Sequence, residues 1–191
     1  MSTNTEKFRE AAAILRPHGI RLRWVRREIP EPQAWTLEEV VKAKLDAVQD
    51  LPGPVLVEDS GLFIPSLKGF PGVYSKHFFK LWGFPPLLEL LRRRGRHAYF
   101  KTVAGLRLGR RRVSFSGVVQ GTIARRPRGR GGFGYDPLFI PRGHSRSFAE
   151  LSSEEKNGLS HRARALRKLG RHEKEALQVE VTRDEMSLDV A

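Results

Sequence analysis

Val55-Leu-Val-Glu-Asp-Ser-Gly61 is the stretch on which the fold turns. Three apolar residues in a row, two of them β-branched, suit a short strand buried on both faces. The run stops at two acids, a serine and a glycine, so the strand is expected to end there. That would leave carboxylates at the edge of a sheet, which in open α/β sheets is where ligands bind. Asp59 there can hold a divalent cation or activate water. In a plain turn, Asp59 or Ser60 would bond the backbone instead.

Working outward, Thr36-Leu-Glu-Glu39 is a capping box that opens a helix through about residue 49, and Leu51-Pro-Gly-Pro54 breaks it. Further upstream, residues 6–16 read as a helix capped by Asn4 and ended by Gly19. Residues 20–25 read as a strand, and Pro30 and Pro32 fix an extended turn. Downstream, residues 62–64 start a second strand, and residues 67–74 form a loop rich in Gly and Pro. Pro85-Pro86 begins a helix that Gly95 stops. Residues 98–108 and 113–123 read as strands, joined as a hairpin through Gly109-Arg-Arg-Arg112. A basic, glycine-rich loop over 125–134 leads to a buried strand at 138–140. Ser152 and Glu155 stand at capping-box spacing on a short helix, 152–156. A basic helix over 160–169 is expected to close at Gly170 and resume from about Arg171. Residues 178–191 show no clear period and read as a loose tail. There is no internal repeat. Helices alternating with short buried strands and one hairpin predict an α/β fold with a mixed sheet, in a single domain over 1–191.

The 191 residues are 39% hydrophobic and 29% charged, which is ordinary globular composition. Without Cys, disulfides and thiolate metal sites are excluded. The six His show no zinc-protease spacing, so any metal is expected to be a hard cation held by carboxylates. No apolar run reaches the roughly 18 residues a membrane span requires. The first seven residues have no apolar core, so a secretory signal is not expected, and a soluble cytoplasmic protein is. The net charge of +14 attracts polyanions and phosphorylated small molecules. The Arg runs at 92–94, 110–112 and 125–130 are not interleaved with stacking aromatics, so they read as solvated surface rather than as a specific nucleic-acid site.

Gly129-x-Gly131-x-x-Gly134 matches the dinucleotide fingerprint in form only: Arg and Pro precede it, and Pro137 and a strand follow. Three further segments carry chemistry. Small polar residues and Lys7 at the start of the first helix suit a phosphate, through N–H groups and the helix dipole; an ordinary capped helix reads the same way. In Gly132-Phe-Gly-Tyr-Asp136, glycines flank a ring that can lie against a planar ligand, with an acid for its edge; the plain reading is a glycine-rich turn. Lys156 and Arg162, in Ser147-Phe-Ala-Glu to Ser160-His-Arg162, supply phosphate or carbonyl recognition, or merely decorate a solvated basic helix.

Taken together and in order, these segments resemble the inosine triphosphate pyrophosphatase family, the non-standard purine NTP pyrophosphatases. The resemblance runs from Ser2 to about Leu169. It is carried by Val57-Glu-Asp-Ser-Gly-Leu62, Gly69-Phe-Pro-Gly-Val-Tyr-Ser75, Gly132-Phe-Gly-Tyr-Asp-Pro137, Phe148-Ala-Glu-Leu to Lys156-Asn, Ser160-His-Arg162 and Pro30-Glu-Pro-Gln33. It implies an elongated mixed sheet flanked by helices, with two lobes and a central substrate cleft, commonly as a homodimer. The implied activity is Mg2+-dependent hydrolysis of ITP, dITP and XTP to the monophosphate and pyrophosphate. Asp59 then matches the proton acceptor and, with Glu31, the magnesium-holding acids. Ser2, Asn4 and Lys7 match the phosphate segment, Ser60 a substrate contact, and Lys76 a basic residue near the phosphates. Phe133, Gly134, Tyr135 and Asp136 match the base-binding segment, with Phe133 the stacking ring. Lys156, His161 and Arg162 match further nucleotide contacts. Two departures are visible. Family members begin with a hydrophobic strand where only Met1 precedes Ser2, and Thr3 stands where they have Gly, which is expected to restrict backbone approach to a phosphate. Two other classes stay open on the residues alone: a pyrophosphatase for pyrimidine or modified nucleotides, and a basic RNA-binding protein without catalysis.

Overall fold

The computed structural model describes residues 4–25, 27, 29, 30 and 32–186, with side chains described as far as Glu173. Helix α1 (Thr5–Leu15) is capped by Asn4, whose side-chain oxygen accepts from the Glu6 and Lys7 N–H groups at 2.9 and 3.2 Å. Helix α2 (Leu37–Asp46) opens on the expected capping box. Strands β1 (Val55–Phe63), β2 (Pro71–Gly72), β3 (His97–Leu108), β4 (Arg111–Ile123) and β5 (Phe139–Pro141) form one sheet in the order β2-β1-β3-β4-β5. Helices α3 (Ser75–Trp82) and α4 (Pro85–Leu90) lie between β2 and β3. Helices α5 (Ser153–Leu159) and α6 (His161–Met186) follow β5. The α/β architecture, a sheet flanked by helices, is thus observed. Among the described residues every strand pairing is antiparallel rather than mixed. The β3–β4 hairpin imposes that direction on its own pair, and β1 returns beside β3 the same way.

The register corrects the reading of the deciding stretch. The run from Val55 to Phe63 is one unbroken strand, paired with β3 from Arg107 to Tyr99, so Glu58 and Asp59 sit in its middle and not at its end. Gly61 does not break the strand. A Cβ there would collide with the Gly72 carbonyl, so the glycine admits the close approach of β2. Gly170 likewise does not end α6: it lets the helix lie against the His18 ring, where a Cβ would stand 2.7 Å from the nearest ring atom. The helix continues through much of the expected tail, and residues 187–191 lie outside the described ones. Residues 20–25 carry no strand assignment; Trp24 stacks on Phe8 at 5.5 Å instead. Helix α3 was not legible as a helix.

Three apolar clusters are strung along β3. Ala98 and Phe100 join α3, α4 and the 135–151 segment at one end. Ala104 and Leu106 join α1 and α6 at the other, and Val103 packs on α2. Between these two ends Glu58, Asp59, Ser60 and Gly61 of β1 line a cleft. Helix α6 is seated on β4 through Gly117, where an added Cβ would collide with the His161 carbonyl and the Ala165 N–H. Gly117→Ala should therefore cost about 1–3 kcal/mol of stability. A urea titration checks this: an unchanged midpoint would show that α6 is not held against β4 at this point. No helix among the described residues is long and apolar enough to cross a membrane.

Candidate active site

A cleft of about 660 Å³ opens between the two ends of the sheet. It takes in both faces of β1, because side chains alternate along a strand. Glu58 and Ser60 point to the α1/α6 side, where Arg162 reaches both. Asp59 points to the α2 side, where Lys44 Nζ donates to its Oδ1 at 2.6 Å. Among the described lining residues, seven Lys or Arg face three Asp or Glu, so the cleft suits an anionic ligand.

On the α1/α6 side, six charged side chains alternate in sign. Lys7 pairs with Glu58 at 3.2 Å, and Glu58 with Arg162 at 2.8 Å. Arg162 also pairs with Glu10, Glu10 with Lys156 at 2.7 Å, and Lys156 with Asp136 at 2.6 Å. Arg162 is 1% exposed, Asp136 3% and Lys156 4%, so none of them is a solvated surface charge. Burial alone would raise the Glu58 carboxyl, but Arg162 and Lys7 outweigh it and hold it well below the usual carboxylate range. For Arg162, burial opposes the charged form, yet Glu58 and Glu10 raise its affinity for the proton above that of an ordinary guanidinium. At Asp136 burial wins and raises the carboxyl, against the pull of Lys156 and the Phe133 N–H.

Phe133 forms a floor at this end. The Lys156 ammonium stands 4.6 Å from its ring centre and the Arg162 guanidinium 5.6 Å. His161 stacks on Phe100 at 4.5 Å, and burial, reinforced by Arg162 and Lys156, lowers its pKa well below the usual value. It is a neutral imidazole, and its buried Nδ1 has no hydrogen-bond partner among the described residues. Tyr135 lines the cleft but donates its hydroxyl to the Ser75 carbonyl at 3.1 Å, and burial pushes its phenol upward, so it serves as a neutral prop.

The structure gathers most of the expected site residues around this one cleft: Asn4, Lys7, Asp59, Ser60, Lys76, Phe133, Gly134, Tyr135, Asp136, Lys156, His161 and Arg162. Ser2 and Glu31, expected at the phosphates and at the metal, lie outside the described residues, as does Thr3. Two expectations change in detail. The Asn4 side chain already occupies two N–H groups at the start of α1, so Lys7 is the phosphate-seeking group there. Ser60 shares a 2.7 Å hydrogen bond with Thr102, which orients its hydroxyl. The sequence reading missed Lys44, Glu10 and the pairing of Glu58. It also missed His77 and Lys80, which line the cleft from α3.

A Ham1 family profile matches residues 1–172. The chain is 46% identical over 169 residues to the dITP/XTP pyrophosphatase of Pyrococcus horikoshii, covering 87% of this chain and 91% of that one. It is 46% identical over 181 residues to the dITP/XTP pyrophosphatase of Thermococcus kodakarensis, covering 93% and 97%. Among solved structures, it resembles a HAM1 protein from Coxiella burnetii with a TM-score of 0.76 at 31% identity, covering 91% and 96%. The Staphylococcus aureus Ham1 protein gives 0.77 at 28%, covering 92% and 96%. On a profile that spans nine-tenths of its length and relatives at 46% identity, the chain belongs to the Ham1 family.

Proposed function

We propose that this chain hydrolyses non-standard purine nucleoside triphosphates, dITP, ITP and XTP, to the monophosphate and pyrophosphate. The observation that carries the reading is one cleft with a cation-flanked aromatic floor at one end and, on the other side of β1, a buried carboxylate paired with Lys44. A purine ring fits against Phe133, and the polyphosphate runs along Lys7 and Lys76 toward Asp59. Water attacks phosphorus, a P–O bond of the anhydride breaks, and pyrophosphate leaves. Asp59 orients that water or takes its proton. Lys44, released from Asp59 as phosphate arrives, meets developing charge on the phosphate oxygens together with Lys7.

Mg2+ belongs to this proposal. Asp59 offers hard oxygen donors in the cleft, and Mg2+ is usually held by one or two carboxylates with the rest from phosphate and water. Glu58 is unsuited, since Arg162 and Lys7 hold its oxygens. Among the described residues no group of three or more His, Cys, Asp or Glu could hold a metal ion, so substrate and water would supply most ligands. When bound, the ion neutralises charge on the triphosphate.

Base selection falls to His161 more than to Arg162. The Arg162 guanidinium is spent on Glu58, Glu10 and Ser60, whereas His161 Nδ1 is unspent. A neutral imidazole protonated at Nδ1 donates to a 6-oxo group and meets a 6-amino group donor to donor. An unpaired buried polar group costs roughly 1–3 kcal/mol, enough for about tenfold to a hundredfold preference over ATP. A cytoplasmic setting, expected from the sequence, and a homodimeric assembly, implied by the resemblance, complete the reading. Pyrophosphate release from dITP, ITP, XTP, GTP and ATP, with and without Mg2+, tests it. Release should favour the first three and require the ion; equal rates on ATP, or none on dITP, would remove the proposal.

A further inference from the structure

One member of the alternating charge chain stands behind the residues that line the cleft. Glu10 lies on α1 one turn past Lys7, and its two carboxylate oxygens are divided. Oε1 accepts from Lys156 Nζ at 2.7 Å, and Oε2 accepts from an Arg162 terminal nitrogen. Lys156 comes from α5 and is tied to Asp136; Arg162 comes from α6 and is tied to Glu58 on β1. Both cations stand over the Phe133 ring. We propose that Glu10 is a positioning residue that sets the spacing of Lys156 and Arg162 around Phe133 and so fixes how a purine ring is gripped, a role that rests on the activity proposed above.

Glu10 is not what keeps either cation paired. Without it Lys156 retains Asp136 at 2.6 Å, and Arg162 retains Glu58 at 2.8 and 3.2 Å. Its removal therefore leaves no buried charge alone, and the fold should hold. What is lost is the brace between two helices. An ammonium on a flexible four-carbon stem swings once one of two anchors goes, and the planar guanidinium is left to follow Glu58 alone. Contacts to the base lie away from the reacting phosphorus and act alike on ground and transition states. Their loss appears in KM and not in kcat.

Two variants separate this role from a structural one. Glu10→Gln keeps the size but presents an amide N–H toward one of the two cations, so one bond must break. Glu10→Asp keeps the charge on a stem one carbon shorter, which cannot span both. Pyrophosphate release from dITP is measured as a function of substrate concentration for both variants and the parent chain, with melting midpoints. For Glu10→Gln, KM should rise about tenfold while kcat stays within about threefold, and Glu10→Asp should move the same way by less. The midpoints should shift by only a few degrees. An unchanged KM, or a kcat loss as large as the KM rise, in either variant that folds overturns the role. A parent chain that releases no pyrophosphate sinks the activity and this role with it. An active parent whose variants keep the same KM sinks this role alone.

Discussion

Asp59→Asn should lower turnover of dITP by about 100-fold or more while the chain still folds. The side chain sits in the middle of β1 on the opposite face from Glu58, and no second carboxylate among the described residues shares that face of the cleft. An amide neither takes a proton from water nor offers a hard anionic oxygen to a cation, so both tasks fail together. A 100-fold loss corresponds to about 2.7 kcal/mol of transition-state stabilisation. Some stability should go as well, because Lys44 loses its charged partner. The loss is softened because the carbonyl of the new amide would still accept a hydrogen bond and because Lys44 also donates to the Glu58 backbone carbonyl at 3.4 Å. Turnover at saturating dITP, beside a melting curve, checks the prediction. Near-normal hydrolysis would take Asp59 out of the reaction, and an unfolded variant would be followed by Lys44→Met to show which partner the fold depends on.

The difference between Asp59 and its neighbours also shows how far sequence alone reached. The place of Asp59 in the cleft was legible because an apolar strand running into acids is an unusual juxtaposition, although those acids lie in the middle of the strand and not at its end as expected. Asn4, Ser152 and Thr36 were legible because a cap is a local event, settled within four residues. Lys44 and Glu10 were not. Lys44 lies in the last turn of α2, where a cation is expected to do no more than complement the helix dipole. Glu10 sits on α1 among Arg and Glu that mark a solvated face, and its partners are 146 and 152 residues away. Charge on an amphipathic helix signals surface until the sheet brings an opposite charge against it, and no local pattern records that event. The continuity of β1 through Gly61 was hidden for a similar reason. A glycine after two acids has the composition of a turn, and only the carbonyl of Gly72 against its Cα shows that it was needed for closeness. The antiparallel pairing was half legible: the hairpin was expected, but the side on which β1 joins it depends on the α3–α4 connection, and α3 went unread.

Arg162→Ala should be the most damaging substitution to the fold of the site, at about 3–5 kcal/mol. The pair with Glu58 is buried on both sides, and Glu58 would be left with Lys7 alone in place of a guanidinium and an ammonium. Glu10 would keep Lys156 but lose its second donor. Burial that Arg162 now overrides would push the Glu58 carboxyl upward, so part of the charge would be neutralised rather than paired. Arg162→Lys should recover less than half of the loss, because an ammonium cannot meet both oxygens of Glu58 and one of Glu10 from a single planar fork. Urea titrations of the two variants give the energies. Circular dichroism at 222 nm shows whether α6, whose first turn carries the residue, stays formed. If Arg162→Ala lost less than about 1 kcal/mol, the guanidinium would be behaving as a surface charge. The ladder from Lys7 to Asp136 could not then be what ties α1, β1, α5 and α6 together. If stability fell as expected but the preference for dITP over ATP did not narrow at all in the folded fraction, the network would be scaffolding, and the whole of base selection would rest on His161.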